Sequence, residues 1–183
     1  MWREGIIHHR ERQYRLLGAM RHVPPHPDLR DGLERLRGAG LRLVALTNST
    51  EQVAQAQITH AGLSEYFEHL FSADTVRRLK PAPEPYRMVA ERLGVGTGGL
   101  RLVAAHAWDI AGALHAGCAA AFVARSGMVL DPLLAPPDVV GADLQALPRR
   151  ALSQRLQECQ RTTPARPWRV KEDNINIHPS KSK

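Results

Sequence analysis

From Asp28 onward the chain repeats one pattern, a short apolar run suited to a buried strand alternating with a stretch whose apolar residues fall three and four apart. The segment DLRDGLERLRGAG places Leu29, Leu33 and Leu36 on one helical face, with Asp28 as a candidate N-cap and Gly40 as a stop, and LRLVALT follows as a buried strand. EQVAQAQITHAG then reads as a helix, HLFSA as a short strand, PEPYRMVAERLG as a helix after a Lys-Pro-Ala-Pro loop, and LRLVAAH as a strand. DIAGALHAG predicts a helix, AAFVAR a strand, and PDVVGADLQAL a last strand and helix. Strands joined by helical stretches of about ten residues form parallel sheets with right-handed crossovers, so the predicted class is α/β.

Residues 1–22 stand outside that alternation. IIHHRERQYRLLGAM draws as an amphipathic helix through Ile7, Tyr14, Leu17 and Met20, broken by the prolines of Pro24–Pro27. The other end departs in charge. Of a net charge of +7, residues 1–148 carry 16 Arg or Lys against 15 Asp or Glu, and residues 149–183 carry 9 against 3. Trp168 is the one Trp, Tyr or Phe among those last residues and no nucleic-acid module surrounds it, so the basic excess reads as a solvated tail rather than a nucleic-acid surface. The expected division is therefore a helical piece at 1–22, a folded domain over about 26–150, and a disordered basic tail over 151–183.

A chain of 183 residues that is 43% hydrophobic can bury one sizeable core. No run approaches the length of a membrane span, and MWREGIIHHRERQYR lacks an apolar signal core, so no membrane partner and a cytoplasmic location are expected. Cys118 and Cys159 are too few for a disulfide framework and too far apart for a CxxC pair, which points to two reduced thiols.

In parallel sheets chemistry gathers beyond the carboxyl ends of the strands. Three such positions carry polar groups: Thr47, Asn48, Ser49 and Thr50 after LRLVAL, Lys80 after HLFSADTVRRL, and Asp109 after LRLVAAHAW. Asn48 to Lys80 is 32 residues and Lys80 to Asp109 is 29, about one βαβ repeat each, so the three can converge on one rim. The TNST group and Asp109 would serve equally well as helix caps. Lys80 stands out because residues 1–148 use arginine for every other cationic side chain, and because a compact ammonium reaches into a site as a guanidinium does not. GVGTGG at Gly94–Gly99 matches GxGxxG in form, but it follows a helix and precedes a strand, the reverse of a dinucleotide turn. Among the nine histidines only His106, at a strand end, is well placed for a site.

In this order, LTNST, LKPAPEPY and AAHAWDIAGALHAG resemble the second, third and fourth motifs of the haloacid dehalogenase superfamily, and of its type II 2-haloacid dehalogenase branch, over about residues 26–147. The resemblance implies a doubly wound, Rossmann-like parallel sheet. It implies a hydrolase in which an aspartate displaces halide from C2 of a short 2-haloacid, giving an ester that water hydrolyses to the inverted 2-hydroxy acid. By resemblance, Thr47 and Asn48 hold the substrate carboxylate or the halide, Lys80 stabilises the nucleophilic carboxylate with support from Tyr86, and His106, Trp108 and Asp109 build the opposite wall and position water. A buried nucleophilic aspartate needs such a cation to stay ionised. No cofactor is implied. Nor is a metal, since phosphatase members use carboxylates of the first and fourth motifs for magnesium whereas AAHAWD offers Asp109 alone.

The chain departs from the family in three places. Ala104 and Ala105 stand where dehalogenases often have Ser-Ser, and His106 stands for Asn. The first motif, a strand ending in the nucleophilic aspartate, is missing, there being no aspartate before Asp28. In the superfamily that strand runs between the two represented here by LRLVAL and LRLVAAH. Residues 1–22 look like the last helix of a cap that is otherwise missing. The expectations are thus a core without its central strand, no nucleophile in this chain, and an inactive, marginally folded protein whose exposed edges leave a homodimer open. The alternatives are a non-catalytic remnant acting as a binding or assembly partner, and a phosphatase-type member of the same superfamily.

Overall fold

The structure, a computed structural model, describes residues 21–147 together with Gly18 and Ala19. The expected tail, and most of the expected helix over 1–22, lie outside the described residues. The order of elements is α1 (Leu29–Gly38), β1 (Val44–Thr47), α2 (Glu51–His60), β2 (His69–Ser72), α3 (Pro83–Leu93), β3 (Arg101–Ala104), α4 (Ala107–His115), β4 (Ala119–Val123) and β5 (Val139–Gly141), with short 3-10 turns at Ser64–Tyr66, Ala73–Val76 and Thr97–Gly99.

All strand pairs are parallel, and they fall into two sheets. β1 pairs with β2, Val44 opposite His69 and Thr47 opposite Ser72. β3, β4 and β5 form the second sheet, with Arg101 opposite Ala119 and Ala121 opposite Val139. Among the described residues, β1 and β3 therefore each have one edge without a strand partner. The two sheets nonetheless share a core, because Leu46 of β1 and Leu102 of β3 pack against the same cluster of Tyr86, Ala113, Ala116 and Cys118.

β4 explains why the second sheet is covered on both faces. Its five residues AAAFV are all buried, as expected of a central parallel strand. Ala121 and Val123 join Leu33, Leu36, Val139, Leu144 and Leu147 on one face. Ala120 and Phe122 meet Ile110 of α4 on the other. At roughly 25 cal/mol per Å² of apolar surface removed from water, these two layers are the main source of stability.

Local chemistry sets the ends of α3. Pro83 enters at the first turn, where a missing N–H costs nothing, and Gly94 closes the helix in the left-handed region at φ 67°. GVGTGG is thus a helix stop followed by a 3-10 turn.

Two local expectations are corrected. Asp28 precedes α1 but does not cap it through its side chain. Its carboxylate accepts from the Arg125 guanidinium at 2.9 and 3.1 Å and from the Leu144 amide at 2.8 Å, tying the start of α1 to the segments after β4 and β5. The helix expected after the last strand does not form through Leu147. Asp143 accepts the Ala146 amide at 2.7 Å in a side-chain turn, and this turn delivers Leu144 and Leu147 into the core.

Candidate active site

The loop that follows β2, the first turn of α3 and the first turn of α4 place three side chains together. Lys80 donates from Nζ to Asp109 Oδ2 at 2.6 Å and to the Leu46 carbonyl at 3.2 Å. Tyr86 donates to Asp109 Oδ1 at 2.6 Å, and its hydroxyl lies 3.2 Å from the Asp109 carbonyl. The Lys80 and Asp109 side chains are only 9% and 7% exposed, which makes this a desolvated ion pair rather than a surface one. Burial, with the Asp109 carboxylate beside it, pushes the Tyr86 phenol far above its ordinary range, so it remains a donor. Lys80 thereby links β1 to the helix that follows β3.

The sequence left Asp109 open as a helix cap. His106 holds the N-cap position of α4 instead, and both oxygens of Asp109 are committed to Lys80 and Tyr86. The TNST group divides its roles. Thr50 stands at the N-cap of α2 without a side-chain bond to the helix, and Thr47 Oγ1 accepts the Ser49 amide at 3.0 Å. Asn48 grips the main chain of Lys80 from both sides: its Nδ2 donates to the Lys80 carbonyl at 3.1 Å and its Oδ1 accepts the Lys80 amide at 2.8 Å. Ser72, at the end of β2, donates to the Ser49 carbonyl at 2.7 Å and fixes the same turn.

Trp108 and His106 form the rim. Trp108 is 43% exposed, with Lys80 Nζ 5.8 Å from its ring centroid, close enough for a cation–π contact. The exposed His106 ring lies 5.6 Å from the same indole at an interplanar angle of 34°. Thr47, Asn48, Lys80, Tyr86, Trp108 and Asp109 thus lie on connected elements at one end of the sheets, with His106 at the edge.

Two contributors were not read from sequence. The Leu46 carbonyl is a main-chain acceptor and leaves no sequence signal. Gly112 lets α4 approach the lysine loop: a Cβ there would lie 2.6 Å from the Pro81 carbonyl oxygen and 2.7 Å from the Tyr86 hydroxyl. A glycine inside a helical run, where it costs roughly 0.5–1 kcal/mol relative to alanine, was the available signal. Cys118 takes no part, since burial pushes its thiol up to about 11, away from the reactive thiolate.

Comparison with known proteins adds an independent line. Residues 3–117 match the family model described as haloacid dehalogenase-like hydrolase. The chain is 36% identical over 126 residues to (S)-2-haloacid dehalogenase 2 of Pseudomonas sp. (strain CBS-3), covering 69% of this chain and 55% of that protein. It is 30% identical over 118 residues to a phosphoglycolate phosphatase of Neisseria gonorrhoeae, covering 64% of this chain and 49% of that protein. Among solved structures, L-2-haloacid dehalogenase from Xanthobacter autotrophicus with chloropropionic acid covalently bound superposes with a TM-score of 0.64 at 30% identity, over 69% of this chain and 60% of that one. The chain spans about half the length of the curated relatives it matches.

Proposed function

Because the chain belongs to the haloacid dehalogenase-like hydrolases, we propose that its site serves hydrolytic dehalogenation of short 2-haloacids to 2-hydroxy acids. One observation carries this reading: the buried Lys80–Asp109 pair, backed by Tyr86, joins the Leu46 carbonyl of β1 to the helix that follows β3, two strands that each have an edge without a strand partner among the described residues. By family resemblance a strand ending in an aspartate runs between those edges, and its carboxylate would arrive beside the Lys80 ammonium. Lys80 holds that carboxylate ionised in a desolvated setting. Asp109 and Tyr86 hold Lys80. Asn48 acts through Lys80, positioning it by its main chain, while the Thr47 hydroxyl and Trp108 border the substrate.

The chemistry balances without a redox partner. A carboxylate oxygen of the aspartate attacks C2 as the carbon–halogen bond breaks, and halide leaves with inversion. Water then attacks the ester carbonyl, the acyl C–O bond breaks, and the 2-hydroxy acid departs with the aspartate restored and a proton released to solvent. The donor set supports this over phosphoryl transfer: the fourth motif brings one carboxylate, and lysine and tyrosine donors already engage both of its oxygens. A magnesium site of the phosphatase kind would compete with those bonds.

The test fuses a strand segment ending in Asp, with Gly-Thr following, ahead of residue 1, and measures chloride released from 2-chloropropionate in excess chelator. The expected result is metal-independent chloride release that the 183-residue chain alone does not show. Activity that requires magnesium and a phosphate ester would overturn the reading. Release by the 183-residue chain alone would show that its nucleophile lies elsewhere.

A further inference from the structure

Between α4 and the loop that joins β4 to β5 lies a second cavity, of about 290 Å³, on a face of the helix other than the one that carries Asp109. Ala107, Ile110 and Ala111 wall it from α4, and Leu130 and Leu134 from the loop. Small-molecule sites usually run to roughly 300–1,000 Å³ and set several polar groups in an apolar wall. Here Asp131 is the one polar lining side chain, its Oδ1 already accepts the Leu133 amide at 2.9 Å, and three further lining residues are prolines without an amide to donate. The cavity thus suits one apolar side chain rather than a polar metabolite. Apolar surface continues outside it, with Val129 and Leu133 78% and 92% exposed.

Charge singles out the occupant. Residues 126–148 hold Asp131, Asp138 and Asp143 and no Lys, Arg or His, and the preceding Arg125 is paired with Asp28. Residues 149–183 are the reverse, with 9 Arg or Lys against 3 Asp or Glu, and Trp168, their one Trp, Tyr or Phe, stands between Arg166 and Arg169. Trp and Arg are among the side chains that most often anchor an interface. We propose that this cavity receives Trp168 of the same chain, with Arg166 and Arg169 beside the Asp131 carboxylate.

The chain is long enough for this. Trp168 follows Leu147 by 21 residues, a length of at most about 70 Å when extended and about 25 Å root-mean-square as a coil, beside a radius of gyration of about 14 Å for a domain of this size. The starting point is near. Leu147 lies against Gly141 at the end of β5, and the Gly141 carbonyl accepts the Ala124 amide at 2.8 Å where the loop leaves β4. A tether that matches its span gives an effective concentration in the millimolar range, so a contact of about millimolar affinity keeps Trp168 docked about half the time.

In the 183-residue chain carrying Trp2→Phe and Trp108→Phe, Trp168 is the sole indole and reports its own burial. At low salt its emission should be blue-shifted, and its quenching by acrylamide about twofold weaker than in Ala111→Leu, whose larger side chain fills the cavity. The protection should fall away at about 1 M salt, where charges are screened beyond about 3 Å. It should also be lost in Arg166→Gln/Arg169→Gln, and in Asp131→Asn, which keeps the Leu133 bond through its amide oxygen and removes only the charge. Equal quenching in all these forms overturns the proposal, as does protection that survives either the filled cavity or the loss of both arginines. Protection that grows over about a hundredfold rise in protein concentration makes the tail of a second copy the occupant, and overturns docking within one chain.

Discussion

Lys80 is the residue on which the site turns, and its burial sets what happens when it is replaced. Lys80→Met leaves the Asp109 carboxylate in a site only 7% exposed without its cation, and such a half-broken buried pair costs about 3–5 kcal/mol. Urea unfolding should show that loss, and Lys80→Met/Asp109→Leu should recover much of it, because removing both charges removes the desolvation penalty too. If the double variant is as unstable as the single one, packing around the lysine stem governs the site instead. In an active protein that carries this site, Lys80→Arg should lose nearly as much activity as Lys80→Ala, since a planar fork does not fit a point-charge position. Asp28 gives a pH prediction. The Arg125 guanidinium beside it holds its carboxyl below the ordinary value of 3.8. A depressed carboxyl stabilises the fold above its unfolded value and loses that contribution as pH falls through the folded one. Asp28→Asn should therefore lower stability at neutral pH and flatten the decline of melting temperature below about pH 4, whereas an unchanged acid limb would count against the ion pair. Lys80 was legible in sequence because it is the lone lysine before the tail. The partner of Asn48 was not, because its bonds run to a main chain 32 residues away.

At the scale of elements, the period of the apolar residues carried the reading. Each predicted strand from LRLVALT to AAFVAR formed, as did each helix between them, with apolar faces packed into the clusters on the two sides of β4 and around Tyr86. The last helix failed because Asp143 offered its neighbours a side-chain turn and the core needed only two leucines from that stretch. Pattern also says nothing about how closely helices approach, and there Gly112 decides. Gly112→Ala would gain helix propensity of about 0.8–1 kcal/mol. It should nonetheless be net destabilising by about 1–3 kcal/mol, because the new methyl meets the Pro81 carbonyl and the Tyr86 hydroxyl at 2.6 and 2.7 Å. Thermal melting beside an exposed control, Gly38→Ala, whose added Cβ meets nothing within 4 Å, separates the two effects. Equal stabilisation of both variants would show that α4 has room to move.

For the whole molecule, the edges of β1 and β3 dominate. Among the described residues these edges carry no partner strand, and such edges invite pairing with other chains. The 183-residue chain should accordingly melt broadly and associate as its concentration rises, and amides of Val44–Thr47 and Arg101–Ala104 should exchange faster than those of the fully buried β4. Val103→Lys, which places a charge on the β3 edge, should shift the chain toward monomer in size-exclusion chromatography. A sharp, high-temperature, monomeric transition would refute this account. The clip by which Asn48 holds Lys80 also bears on the order in which the chain folds. Closing it from an open chain spans 32 residues, whereas after β1 has paired with β2 the remaining loop runs only from Ser72 to Lys80. By the logarithmic dependence of closure entropy on length, the second route is easier by about 1 kcal/mol. The rim of the site should then assemble on the late side of the folding barrier, so that Asn48→Ala accelerates unfolding in stopped-flow experiments and leaves the refolding rate nearly unchanged.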